Sequence, residues 1–193
     1  MKGKPVYKTL MFLLILYSNI LSEEWQVNKN KDNQVVFHSK TTLLDFEGTT
    51  ENVDGYLLWE GDSLFKGKNE VFFEVYLASF KTGIGKRDSD MREDVLETDK
   101  YPVATFKGRV FLTKQLKESI FVKAEGTLSL HGITKSVTIE AYLYKSKDDN
   151  ITVKSSFSVF LKDHNIDAPT LMAFVKVAQE IKIDVMLNLM KVN

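Results

Sequence analysis

Apolar side chains recur at every second position over most of this chain, in short stretches separated by turn residues. Between 70 and 80, Val71, Phe73, Val75 and Leu77 share one face while Phe72, Glu74, Tyr76 and Ala78 share the other, which is the period of an extended strand. The stretch 136–144 repeats the pattern, with Val137, Ile139, Ala141 and Leu143 opposite Ser136, Thr138, Glu140 and Tyr142. Such a strand is expected to bury one face and wet the other. Asp148, Asp149 and Asn150 supply a turn, after which Val153, Ser155, Phe157, Val159 and Leu161 line up. Near the C-terminus Ile181, Ile183, Val185, Leu187 and Leu189 alternate with Lys182, Asp184, Met186 and Asn188. Further strands are expected at 35–38, 42–46, 53–59, 103–109 and 120–130. About eight antiparallel strands of this kind favour a closed barrel or a sandwich, because closure removes the exposed edges that long alternating strands present. Periodicity alone does not choose between the two.

The alternation breaks once in a way that organises the chain, over residues 82–106. Gly83 and Gly85 end the strand, and Gly83 is expected to take the positive φ that glycine tolerates, so that Gly83→Val should cost more than Gly67→Val in a polar loop. Arg87, Asp88, Ser89 and Asp90 supply residues of the capping type, and Met91, Val95 and Leu96 recur at near-helical spacing. A helix of about two turns is expected. Asp99, Lys100, Tyr101 and Pro102 stop it, since the residue before a proline is pushed to extended geometry.

The N-terminus reads differently. Lys2, Lys4 and Lys8 precede the apolar run 10–16, and Ser18, Asn19 and Ser22 follow it. This is the outline of a signal peptide over 1–22, leaving one domain at 23–193. The run is shorter than the roughly 20 residues a membrane-spanning helix needs. The chain has 26 basic and 26 acidic residues, and removing a leader with three lysines and no acid leaves 23 against 26. No basic stripe with interleaved aromatics appears, so nucleic acid is not an expected partner. There are no cysteines, which excludes disulfides, thiolate metal sites, thiol nucleophiles and a lipoprotein anchor. A soluble exported protein is expected.

The succession of Thr82-Gly83, Arg87-Asp88, Leu96, Asp99, Tyr101-Pro102 and Ala104-Thr105-Phe106 resembles the hallmark segment of the YceI-like family of lipocalin-like, polyisoprenoid-binding proteins. A second block, residues 126–135, resembles that family's later signature of a strand ending in His131-Gly132, a turn and the next strand. The resemblance covers residues 34–189 and implies an all-β fold, an eight-stranded antiparallel lipocalin-like barrel with short helical insertions and an apolar cavity. It implies periplasmic binding or carriage of a long isoprenoid or similar amphiphilic lipid. Segment 163–179 resembles the family's loop before the last strand and is expected to cover one barrel mouth.

Catalytic and metal chemistry find little footing. Gly83-x-Gly85 lacks the third glycine and the βαβ setting of a dinucleotide fingerprint. His38, His131 and His164 show no metal-ligand spacing, and His131 is expected to bond backbone groups in its turn. Asp88, Asp90, Glu93 and Asp94 lack the glycine and glutamate of a calcium loop. No GxSxG elbow occurs, so no catalytic residue, metal ligand or cofactor is assigned and the chain is read as a non-enzyme. Cargo-lining positions are expected at Val71, Phe73, Val75, Leu77, Val137, Ile139, Leu143, Phe157, Val159, Ile183, Val185 and Leu187. Arg87 is a candidate headgroup contact, since an arginine fork suits phosphate, beside a structural role in which Asp88 caps amides. A different class of function stays open: a filled barrel, structural or stress-related, whose exposed Trp59, Tyr142 and Tyr144 bind a protein.

Overall fold

The computed structural model describes residues 22–60, 65, 67–146, 148, 150–171 and 175–192. The expected leader therefore lies outside the described residues except for Ser22, which opens the first strand and pairs with Glu60. Twelve strands follow in order: β1 (Ser22–Val27), β2 (Gln34–Ser39), β3 (Phe46–Thr50), β4 (Val53–Glu60), β5 (Asn69–Tyr76), β6 (Val103–Gln115), β7 (Ile120–Leu130), β8 (Ile133–Lys145), β9 (Ile151–Phe160), β10 (Thr170–Leu171), β11 (Val175–Lys176) and β12 (Glu180–Val192). A helix, α1 (Gly85–Asp90), runs into a π-helical turn, Met91–Val95, between β5 and β6.

Ten of these strands form one antiparallel sheet in the order β1-β4-β5-β6-β7-β8-β9-β12-β2-β3, which closes because β1 also pairs with β12. The same edge of β12 is taken by β1 at Leu189–Val192 and by β2 at Lys182–Met186, so β1 and β2 lie end to end as one interrupted stave. β3 and β4 make a second, broken only at Glu51 and Asn52. Ten strands thus build an eight-stranded barrel. A bridge between Thr49 and Lys81 completes the ring at the β3 end.

Two expectations about the early staves change. Residues 42–46 are not a strand: the Thr41 hydroxyl accepts the N–H groups of Leu43 and Leu44 and holds them in a turn, so β3 begins only at Phe46. β1 was not expected at all. It carries Glu24 and Gln26 on the outer face, and of the alternate positions Glu23, Trp25 and Val27 only the last two are apolar and buried, too few for a pattern to register.

Alternation places the larger side chains inside at one end. Trp25 stacks on Trp59 with ring centroids 3.9 Å apart, and Phe65 tilts against Trp59 at 5.0 Å. Val53, Ile151, Leu187 and Leu189 complete this floor, each no more than 2 % exposed. Away from the floor the inward residues Phe73, Ile139, Phe157 and Ile183 are only partly buried, although their strands alternate just as regularly.

Candidate ligand cavity

The end opposite the floor is built from the segment that breaks the alternation. After β5 a 3-10 turn, Leu77–Ser79, buries Leu77, Phe80 follows it into the core, and Gly83 turns the chain at φ +81°. Asp88 then ties α1 back to that exit. Its Oδ1 accepts the Thr82 N–H at 2.8 Å and the Thr82 hydroxyl in a shorter contact. These bonds, the hydroxyl foremost, hold the Asp88 carboxyl below its ordinary pKa against the opposing effect of burial. Asp88 is thus an anchor for the loop and not a cap: the start of α1 has no side-chain cap. Arg87 Nε donates to Thr82 Oγ1 and Nη2 to the Thr82 carbonyl, both at 2.8 Å, and the guanidinium lies 4.4 Å from the Phe46 ring centroid. The arginine therefore joins the loop to β3 before it meets any ligand.

A second clasp sits where β7 turns into β8. His131 and Gly132 both have positive φ, the backbone of a two-residue hairpin whose twist matches its strands. His131 Nδ1–H donates to the His164 carbonyl at 3.2 Å, its Nε2 lies 2.8 Å from the Glu97 carboxylate, and its ring packs on Tyr101 at 4.4 Å. Buried His164 Nδ1–H donates in turn to the Ile133 carbonyl at 3.1 Å. This clasp spans a seam. β8 pairs with β9 only between Ala141–Lys145 and Ile151–Ser155, so the two strands part above Ala141 and are rejoined by histidine side chains.

Between floor and clasp lies a cavity of about 800 Å³. Of the twelve expected lining positions, it is bordered by Val71, Phe73, Val75 and Leu77, by Ile139 and Leu143, by Phe157 and Val159, and by Ile183, Val185 and Leu187. Val137 is not on it. That residue faces Gly126 in the part of β8 that has left β9, where it packs against the main core and borders a second, shallow hollow. Arg87 lies at the mouth, as do Pro169, Thr170 and Val177 of segment 163–179. Met172, Ala173 and Phe174 of that segment lie outside the described residues.

Several lining residues went unassigned from sequence. Ala104 and Phe106 on β6 and Leu128 and Leu130 on β7 follow the same alternation as the residues named. On β2 the inward positions are Val35, Phe37 and Ser39, so the signal was a serine in an apolar stripe. Ser39 is 2 % exposed, and its hydroxyl has no hydrogen-bond partner among the described residues. The charged lining residues are Lys86, Arg87, Asp90 and Asp94, all on α1 and the π-helical turn. Lys86 is already paired with Asp90.

Residues 25–189 match the YceI-like domain. The chain belongs to the YceI-like family. The match takes in the second half of β1, from Trp25, which the resemblance beginning at Gln34 had left out. Protein YceI of Shigella flexneri is 32% identical over 125 residues, and that stretch spans only 62% of either chain. Protein YceI of Salmonella newport is 28% identical over 175 residues, covering 86% of this chain and 88% of its own. Among solved structures, Burkholderia cenocepacia BcnA superposes with a TM-score of 0.69 at 18% identity, over 84% of this chain and 98% of BcnA. A polyisoprenoid binding domain from Saccharophagus degradans, implicated in plant cell wall breakdown, gives 0.64 at 18% identity, over 86% and 97%. At that identity the two structures establish the YceI-type barrel as the fold of this chain.

Proposed function

We propose that this protein binds and carries a long isoprenoid or similar amphiphilic lipid in its barrel and makes or breaks no bond in it. The observation that carries this reading is the distribution of polarity along the cavity: apolar walls run from the aromatic floor upward, and charge enters only at the mouth. That is the polarity of a lipid with a hydrocarbon tail and one polar end. Each methylene moved from water into the cavity contributes about 0.8 kcal/mol before ordering costs, so a few isoprene units supply ample driving force. The polyisoprenoid-binding neighbour of the same fold supports the reading. The lysine-rich start and the short apolar run support export of the processed chain to the periplasm.

Native mass spectrometry of the full chain purified from its own cells tests this. The expected spectrum shows a population heavier than the polypeptide by the mass of a lipid that organic solvent extracts. A spectrum of bare polypeptide from gently isolated protein contradicts it.

A further inference from the structure

The apolar lining of the cavity does not stop at the mouth but continues onto the outer surface there. Among the described residues the three most exposed large apolar side chains are Leu44 at 77 %, Leu43 at 64 % and Ile84 at 54 %, and all three stand at this one end. Ile84 itself borders the cavity, and Leu44 lies two residues before Phe46, which borders it too. Phe46 in turn carries the guanidinium of Arg87, three residues beyond Ile84, so the two segments adjoin. Single exposed apolar residues are ordinary on a protein surface, whereas a group of them continuous with an apolar cavity marks a place of contact. We infer that this rim is a docking surface for a lipid bilayer. Leu43, Leu44 and Ile84 enter the apolar edge of the membrane and set the mouth against it, so that a tail passes between bilayer and barrel without crossing water. The inference rests on the carrier reading, since it names the place where cargo is taken up and given back.

The backbone of the rim suits that medium. A bilayer interior offers no water to hydrogen-bond main-chain groups, so a turn enters it at low cost only where those groups are already bonded. The Thr41 hydroxyl accepts the N–H groups of Leu43 at 3.2 Å and Leu44 at 2.9 Å and donates to the Leu44 carbonyl, which closes the turn on itself. The turn is also held at its base: Ala178 N–H donates to the Lys40 carbonyl at 2.8 Å, and Thr41 bridges Val177. The two leucines therefore project from a fixed turn. Ile84 stands between Gly83 and Gly85, and a Cβ on either glycine would meet nothing within 4 Å, so both face open space.

Charge decides which kind of bilayer the rim fits. The segments that frame the mouth, 40–47, 81–97 and 162–178, carry one, four and two basic residues against two, five and two acidic ones. Recruitment to an anionic surface takes a cluster of lysines and arginines, and this balance is the opposite. The attraction is the burial of three apolar side chains, which reverses readily, as a carrier requires; stable anchoring takes more apolar surface than this.

The test is flotation with vesicles. Protein purified from its own cells is mixed with vesicles of phosphatidylcholine, or of equimolar phosphatidylcholine and phosphatidylglycerol, at low and high salt. Parent and variants share one N-terminus, so residues 1–22 contribute equally to all. The parent is expected to float with phosphatidylcholine vesicles, with no loss at high salt and no gain from phosphatidylglycerol. Leu43→Asp with Leu44→Asp should weaken vesicle binding at least about tenfold, the factor that burial of one such side chain supplies. Thermal unfolding and binding of added geranylgeraniol should stay at the parent's level, because neither leucine borders the cavity. Thr41→Val keeps the leucines but removes the hydroxyl that holds them, and should weaken vesicle binding roughly threefold. Phe111→Asp, at an exposed apolar position beside the floor residue Val110, is the control and should leave vesicle binding unchanged.

A parent that does not float, or that floats only with phosphatidylglycerol and is released by salt, overturns the inference, as does flotation unchanged in the double leucine variant. A parent that is dimeric in solution and becomes monomeric in that variant, with no vesicle binding to lose, assigns the rim to a second copy of the chain and overturns it likewise. In each of these cases binding of added geranylgeraniol leaves the carrier reading standing. A protein that binds none of it overturns that reading, and the inference falls with it.

Discussion

The floor and the mouth of this barrel are made from strands of one and the same alternation, yet one is solid and the other hollow. At the floor Trp25 stacks on Trp59 of the paired strand, Phe65 tilts against Trp59, and Leu187 and Leu189 are buried in the same cluster. Toward the mouth the inward residues Phe73, Ile139, Phe157 and Ile183 are only partly buried and border the cavity, whose end is lined by α1, the π-helical turn, Pro169, Thr170 and Val177. The difference lies in how much side chain each level of the barrel contributes, since eight strands leave an interior that side chains just fill or that holds one small ligand. Stability is therefore expected to concentrate at the floor and binding toward the mouth.

The sharpest way to break that division is to remove the floor. Trp59→Ala should cost about 3 to 5 kcal/mol, because the residue is 1 % exposed and touches both other floor aromatics. Chemical denaturation measures it, and a loss below about 1 kcal/mol would mean the floor is not the stabilising core. Asp88→Ala comes next, at about 1 to 3 kcal/mol, since it strips the Thr82 amide and hydroxyl of a charged partner. The pH dependence has the same origin. The folded-state pKa of Asp88 is depressed, so its contribution is present above the ordinary carboxylate value near 3.9 and is lost as pH falls through the lowered one. Acidification should loosen the Thr82 and Gly83 amide resonances before those of the floor tryptophans, and Asp88→Asn should abolish that early step.

The smallest effects compare two glycines. Gly83 has φ +81° but open space around a Cβ, whereas a Cβ on Gly67 would lie 2.4 Å from the Glu60 carbonyl oxygen. From sequence Gly83→Val is the costlier change; the geometry gives both a cost of about 1 to 3 kcal/mol and makes Gly67→Val at least equal. Thermal melts of the two variants decide. A Gly67→Val protein as stable as the parent would remove the clash from the account.

Much of the fold was legible because a period of two needs only local residue order. β5, β8, β9 and β12 each show it over eight residues or more, and eleven of the twelve positions read from it border the cavity. What escaped depended on partners far away in sequence. Val137 alternates correctly but sits where β8 has parted from β9, and no local pattern reports a missing neighbour. β1 owes its existence to pairing with β12 and β4, more than its own six residues disclose. For Arg87 the sequence left both a structural role and a headgroup contact open, and only the folded loop shows its bonds to Thr82.

The central claim is that the apolar faces enclose space for a tail, and filling that space tests it most directly. Val159 and Val185 border the cavity, while Thr138 on β8 is exposed on the opposite face. Isoprenoid retention and thermal unfolding should be measured together for Val159→Trp, Val185→Trp and the control Thr138→Trp. The account predicts that both inward variants lose retention while losing less stability than the roughly 1 to 3 kcal/mol of an overpacked core, and that the control keeps both. Inward variants that fold normally and retain lipid like the parent protein would contradict it.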